Sequence, residues 1–226
     1  SWETICTSNF KFKNAPSILD NDGDISIIVG NEGGELISID LSGNLNFVYN
    51  GNGAIKTAAS FNSLLNGSIG IFFGTENGYL YGIDQFGNDL DGWPVLYNGS
   101  INSTPSFADL NDDGSSEIIS STVSGNILVL NDDGTNYNSF PINYQFGTNS
   151  SPMLDDIDMD SDLELIIGMT GGLAVFDIKD IGSTSNHWSM YRGDMRRTGL
   201  YTSSSSNQML GDLNSDQVLD ILDIVI

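Results

Sequence analysis

Cysteine, histidine and basic side chains are all scarce in this chain. Cys6 is the only cysteine in 226 residues, which excludes a disulfide framework and a cysteine-built metal cluster. His187 is the only histidine. No nucleophile constellation can recruit a second imidazole, and a zinc site built on several histidines is excluded. A lone histidine beside Trp188 is expected to be structural. Lysine and arginine together number 7 against 30 acidic residues, a formal net charge of −23. Phosphate contacts need cations, so nucleic acid and anionic membranes are excluded as partners. No apolar run reaches the roughly 18 residues of a membrane-spanning helix. Ser1 to Phe10 has neither a basic n-region nor an apolar h-region, and the chain lacks an initiator Met. It is expected to be a processed form or a fragment of a longer protein.

What is abundant is glycine, at 26 residues, set among Asn, Asp and Ser. That composition signals many tight turns and short strands. Aligning turns with apolar runs exposes a repeat. Unit one runs Ala15-Pro16-Ser17-Ile18, an acidic turn, Ile27-Ile28-Val29-Gly30, then Gly34-Glu35-Leu36-Ile37. Unit two offers Ala58-Ala59-Ser60-Phe61, Ile71-Phe72-Phe73-Gly74 and Gly78-Tyr79-Leu80-Tyr81. Unit three has Thr104-Pro105-Ser106-Phe107, Glu117-Ile118-Ile119 and Gly125-Asn126-Ile127-Leu128. Unit four has Ser151-Pro152-Met153-Leu154, Glu164-Leu165-Ile166-Ile167 and Gly172-Leu173-Ala174-Val175. With Pro16, Ala59, Pro105 and Pro152 as equivalents, the steps are 43, 46 and 47 residues. Each unit holds two clear strands around a Gly-bearing turn, and the flanks can supply two more. Four strands in about 45 residues, repeated, is the size of a β-propeller blade. The expected fold is therefore all-β, with blades over about 11–54, 55–100, 101–147 and 148–201. Four blades suggest part of a larger ring, and Ser1 to Phe10 suits the last strand of a preceding blade.

Acidic loops stand inside this repeat. Unit three reads Asp109-x-Asn111-x-Asp113-Gly114-Ser115-x-Glu117, and unit four reads Asp156-x-Asp158-x-Asp160-x-Asp162-x-Glu164. Oxygens at every second position of a tight loop converge on one point. A hard cation such as Ca²⁺ takes six to eight of them at about 2.3–2.6 Å. Gly114 permits the sharp turn. Ser115 and Asp162 are expected to give backbone carbonyls, and the two glutamates close the sites. Ser161 stands where unit three has its turn glycine. Unit one keeps Asp20, Asp22 and Asp24, but its loop is two residues shorter and Ser26 replaces the closing acid. A plain β-turn is preferred there over a ligand set. Unit two has Asn62, Leu64 and Asn66 at the ligand places, and its site is expected to be lost. Near the C-terminus, Asp212, Asn214, Asp216, Val218, Asp220 and Asp223 fall at positions one, three, five, seven, nine and twelve of an EF-hand-like register. Gln217 departs from the usual glycine.

The order Ser-Pro-x-Phe/Leu, acidic loop, Glu-Ile-Ile, Gly-x-Leu resembles the FG-GAP/VCBS repeat family, the blades of integrin-α-type propellers and of many secreted bacterial proteins. Gly92-Trp93-Pro94 fits an inter-blade segment of bacterial members. Trp188 to Gly199 resembles the segment that often closes their last blade. The C-terminal loop is similar to the first half of a dockerin, which implies a cohesin-type partner. The resemblance implies blades over 1–201, a Ser-rich linker over 202–210 and a partial dockerin-like module over 211–226. It also implies Ca²⁺ as the bound ion, a secreted or cell-surface bacterial location, and a protein or carbohydrate ligand at the propeller loops. The function expected is a non-catalytic, calcium-stabilised binding or scaffold module. The alternative is the targeting tail of a secreted polysaccharide-degrading or proteolytic enzyme with its catalytic domain upstream. A propeller enzyme in its own right needs a charged central channel, and the sequence displays none. Paired carboxylates can hydrolyse glycosides, but these belong to cation loops. Arg192, Arg196 and Arg197 are expected to bridge to the acidic blades. Asn66, Asn98, Asn102 and Asn149 match the glycosylation sequon, a pattern that arises by chance in so Asn/Ser-rich a chain.

Overall fold

The computed structural model describes residues 8–203. The N-terminal part of the proposed preceding strand, most of the Ser-rich linker and the whole dockerin-like loop lie outside the described residues. Within them there is no α-helix. Sixteen strands form four small sheets.

Each sheet is a meander of consecutive antiparallel strands, as the repeat implies. Sheet one holds β1 (Ser17–Asn21), β2 (Asp24–Gly30), β3 (Glu35–Asp40) and β4 (Leu45–Asn50). Sheet two holds β5 (Ser60–Ser63), β6 (Ile69–Gly74), β7 (Tyr79–Asp84) and β8 (Val95–Leu96). Sheet three holds β9 (Ser106–Ala108), β10 (Glu117–Ser121), β11 (Asn126–Leu130) and β12 (Ile142–Asn143). Sheet four holds only β13 (Met153–Asp155), β14 (Asp162–Met169) and β15 (Gly172–Ile181). The β-branched and aromatic runs foreseen as second strands are β2, β6, β10 and β14, where such side chains suit a pleated, covered surface.

Burial shows how the sheets stack. β6 and β10 are buried along their whole length, so sheets two and three are covered on both faces. β15 alternates instead. Ala174, Phe176 and Ile178 pack inward, while Leu173, Val175 and Ile181 are exposed. One core joins sheets one to three, centred on Phe61, Phe72, Phe73 and Phe107. A second joins sheets three and four, around Ile119, Val129, Leu165 and Ile167. Inner-strand serines tie neighbours together: Ser17 Oγ donates to Ala59 O and Ser106 Oγ to Pro152 O, each at 2.7 Å. The Gly between second and third strands is fixed by crowding. At Gly125 φ is +93°, and a Cβ would sit 2.0 Å from the Tyr144 carbonyl oxygen.

The segment expected to close the last blade does something else. Residues 183–203 leave β15 and run along the inner strands of the sheets. Ser183 bridges Asp109, the Phe107 N–H donates to Trp188 O, and the Leu154 N–H donates to Ser189 O. Its last part, β16 (Leu200–Thr202), pairs in parallel with β1. Trp188 and Tyr201 pack on Phe61 of β5, and Tyr201 Oη lies 2.6 Å from Ser63 Oγ. One segment thus touches the first strand of all four sheets. Sheet four keeps three strands because the residues that would have supplied a fourth are used at the centre.

Candidate metal loops and their setting

Unit three places its loop between β9 and β10, and unit four between β13 and β14. The two share their main hydrogen bonds. The Leu110 N–H donates to Glu117 Oε2 and the Ile157 N–H to Glu164 Oε2, both at 2.7 Å. The Asp113 and Asp160 N–H groups donate to Oδ1 of Asp109 and Asp156, both at 3.2 Å. The Gly114 and Ser161 N–H groups donate to the other oxygen of the same aspartates, at 2.9 and 3.2 Å. Backbone donors thus fold each loop around its first aspartate and orient its closing glutamate. Glu117 and Glu164 are 2% and 4% exposed. Each accepts one backbone N–H through Oε2.

The loops differ in charge. In unit four, oxygens of Asp156, Asp158 and Glu164 lie within 4.8 Å of one another, as do those of Asp160, Asp162 and Glu164. Twice a Ca–O distance of about 2.4 Å spans that separation. Asp162 Oδ1 is buried without a hydrogen-bond partner, and an orphaned acceptor in an all-oxygen cluster is what a hard cation satisfies. These acids can hold a metal ion. Asp162 was expected to contribute its backbone carbonyl; its carboxylate joins the cluster as well. Burial, then the neighbouring Asp160, raises Asp158 above the ordinary carboxylate range and pushes Asp162 up to about 6. The Asp162 N–H holds Asp160 low. In unit three, Asn111 and Ser115 replace two of the acids, leaving Asp109, Asp113 and Glu117. Burial, then Asp113 and Asp109, pushes Glu117 up to about 7.

Unit one forms a two-residue hairpin. Asn21 pairs with Asp24, and Asp22 and Gly23 take φ of 52° and 90°, the left-handed pair of a type I′ turn. Asp20 Oδ1 accepts the Gly23 N–H at 2.8 Å. Asp20, Asp22 and Asp24 are thus turn residues, with no loop between the strands to gather them around an ion. In unit two, Asn62 is buried and its Oδ1 accepts from Ser116 Oγ at 3.2 Å. His187 Nδ1 lies 2.9 Å from the same hydroxyl, and burial lowers the His187 pKa. The histidine joins sheets two and three to the central segment.

The arginines also depart from expectation. Arg192 donates to three carbonyls, those of Arg197, Pro16 and Thr198, at 2.9, 3.1 and 2.9 Å. It fastens the central segment to sheet one. The ion pairs among the described residues are Lys13–Glu32, Lys56–Glu76, Lys179–Asp162 and Lys179–Asp177; none includes an arginine.

No family model and no curated protein matches this chain. Its similarities are to solved structures. BamB from Moraxella catarrhalis matches at 17% identity and a TM-score of 0.55, over 76% of this chain and 48% of BamB. The computationally designed Ika4 protein matches at 16% and 0.53, over 76% of this chain and 94% of Ika4. The Vibrio cholerae biofilm matrix protein Bap1 matches at 21% and 0.54, over 76% of this chain and 31% of Bap1. The chain thus spans about half the length of BamB and a third of Bap1. Together with the four meander sheets, these likenesses define an all-β, β-propeller-like fold whose sheets are its blades.

Proposed function

We propose that this chain is a non-catalytic, calcium-stabilised binding or scaffold module of the FG-GAP/VCBS type, working at or outside the bacterial cell surface. The observation that carries the reading is the repeated loop. Two copies, 47 residues apart, share the hydrogen bonds that fold the loop around its first aspartate, and the unit-four copy brings its carboxylate oxygens within 4.8 Å of one another. Asp109, Asn111, Asp113, Ser115 and Glu117 hold one ion, and Asp156, Asp158, Asp160, Asp162 and Glu164 the other. The ion ties the first strand of a blade to the second and neutralises clustered carboxylates. Its contribution follows mass action, about 4 kcal/mol when free ion is 1,000 times its dissociation constant. Extracellular modules can use weak sites because millimolar calcium surrounds them. Asp212, Asn214, Asp216, Val218, Asp220 and Asp223 hold a further ion in the dockerin-like element, which docks to a cohesin-type partner. A protein or carbohydrate ligand binds the propeller loops.

Isothermal titration of the chelated protein with CaCl₂ tests the reading. Two equivalents in a chain ending at 203 support it, and heats indistinguishable from dilution refute it. A cohesin pull-down on the full chain, with and without EDTA, tests the C-terminal element.

A further inference from the structure

The antiparallel meander sorts charge along the blades. Lead-in segments and the turns between second and third strands lie at one end. The first-to-second and third-to-fourth turns lie at the other, and these carry the aspartate clusters. Of the seven basic residues, Lys13, Lys56 and Arg197 line a single cavity of about 500 Å³ at the lead-in end, with Asn102, Asn149 and Tyr191. Lys13, Lys56, Asn102 and Asn149 are one repeat position, separated by the same steps of 43, 46 and 47 residues. The four blades therefore present two ammonium groups and two amides to a shared central space, and the central segment adds a guanidinium.

We propose that this central cavity binds a hydroxylated carboxylate, a sugar acid or a small hydroxy acid. The cavity lies within the roughly 300–1,000 Å³ of small-molecule sites. The Arg197 guanidinium enters no ion pair among the described residues, and a planar fork matches a carboxylate in two-point contact. Lys13 and Lys56 pair with Glu32 and Glu76 on the rim. Such exposed pairs are worth about 0–1 kcal/mol, so an incoming anion exchanges for them readily. Because the glutamates offset two of the three cations, a monoanion matches the remaining charge better than a phosphate dianion. The Asn102 and Asn149 amides bond to each other at 3.1 Å, leaving one N–H of Asn102 and the Asn149 NH₂, with the lining Thr104, Ser150 and Ser151, to meet ligand hydroxyl groups. The acidic turns stand a strand length away, about 17–20 Å, beyond a Debye length of about 8 Å. The overall −23 charge is thus screened at this cavity.

The test is titration of the protein with sodium glucuronate, sodium glycerate, glucose and inorganic phosphate, followed by heteronuclear NMR. Saturable shifts at Lys56, Asn102 and Arg197 with glucuronate or glycerate, absent with glucose, are expected. The tighter of the two identifies sugar acid or hydroxy acid as the source. Arg197→Gln combined with Lys56→Gln should weaken binding at least tenfold with an unchanged melting temperature. Asp156→Ala should leave it intact, which separates this site from the calcium loops. The proposal is overturned if neither carboxylate binds, if phosphate alone binds, or if the double substitution has no effect on affinity. Should the double variant misfold, a fall in wild-type affinity between 20 and 300 mM NaCl supports the site, and salt-independent binding overturns it.

Discussion

The loops of blades three and four share a backbone and differ in charge. Both wrap N–H donors around the first aspartate and send a buried glutamate across from the second strand. Blade three carries Asp109, Asp113 and Glu117, whereas blade four gathers Asp156, Asp158 and Glu164, and Asp160, Asp162 and Glu164, within 4.8 Å. The scaffold is therefore separable from the charge it presents. The scaffold sets where the loop's acids stand; the acid count sets how much charge the loop must accommodate. Blade one shows the limit of the series, because deleting two residues turns the loop into a hairpin turn and leaves its aspartates ungathered.

The largest effect should come from Asp156→Ala with Asp158→Ala. One calcium equivalent should disappear from the titration while the blade-three equivalent stays. The calcium-dependent stabilisation should fall by about 3–4 kcal/mol at saturating ion, read by denaturant melts. Loss of both equivalents would show that the loops are not independent.

The pH dependence comes next. Glu117 has a folded-state pKa of about 7 against an ordinary 4.5, so the calcium-free fold binds the extra proton between those values. Its stability should fall as pH rises through 4.5 to 7, and Glu117→Gln should flatten that slope. Saturating calcium needs the ionised carboxylate and should reverse it. Melting temperatures at pH 5 and 8, with EDTA and with calcium, provide the check.

Asn111→Asp moves blade three toward blade four. Calcium affinity there should rise about tenfold with ligand charge, and the calcium-free protein should become less stable. The smallest effect is conformational. Ser161 holds a φ of 80° where Gly114 has 86°. Ser161→Gly should stabilise the protein and Gly114→Ala destabilise it, by about 1 kcal/mol each. A Cβ at Gly114 meets nothing within 4 Å, so a larger loss would mean that the loop repacks.

What could be foreseen from sequence was what repeats locally. Pro105 to Ile119 and Pro152 to Ile167 carry strand, loop and closing acid in one stretch, and they fold as that order implies. The shortening between Asp20 and Ile27 likewise read as a turn. Features that depend on distant segments were not readable. Nothing near Trp188 says that it will pack on Phe61, or that Leu200–Thr202 will pair with β1. The central cavity was missed for the same reason. Lys13, Lys56, Asn102 and Asn149 hold one repeat position, but only the arrangement of four blades brings them together with Arg197. Asp162 is expected from the sequence to give only its backbone carbonyl; its carboxylate joins the cluster as well, beside a register shift between Asp162 and Leu163 that spacing alone does not foretell.

Calcium between the first and second strands of blades three and four is the proposal from which the rest follows. Thermal melting in 5 mM CaCl₂ and in 5 mM EDTA, on the chain ending at residue 203, tests it most directly. The account predicts a melting temperature several degrees higher with calcium, restored to the EDTA value by excess chelator and lowered by Asp156→Ala with Asp158→Ala. Coincident melting curves in the two solutions would contradict it.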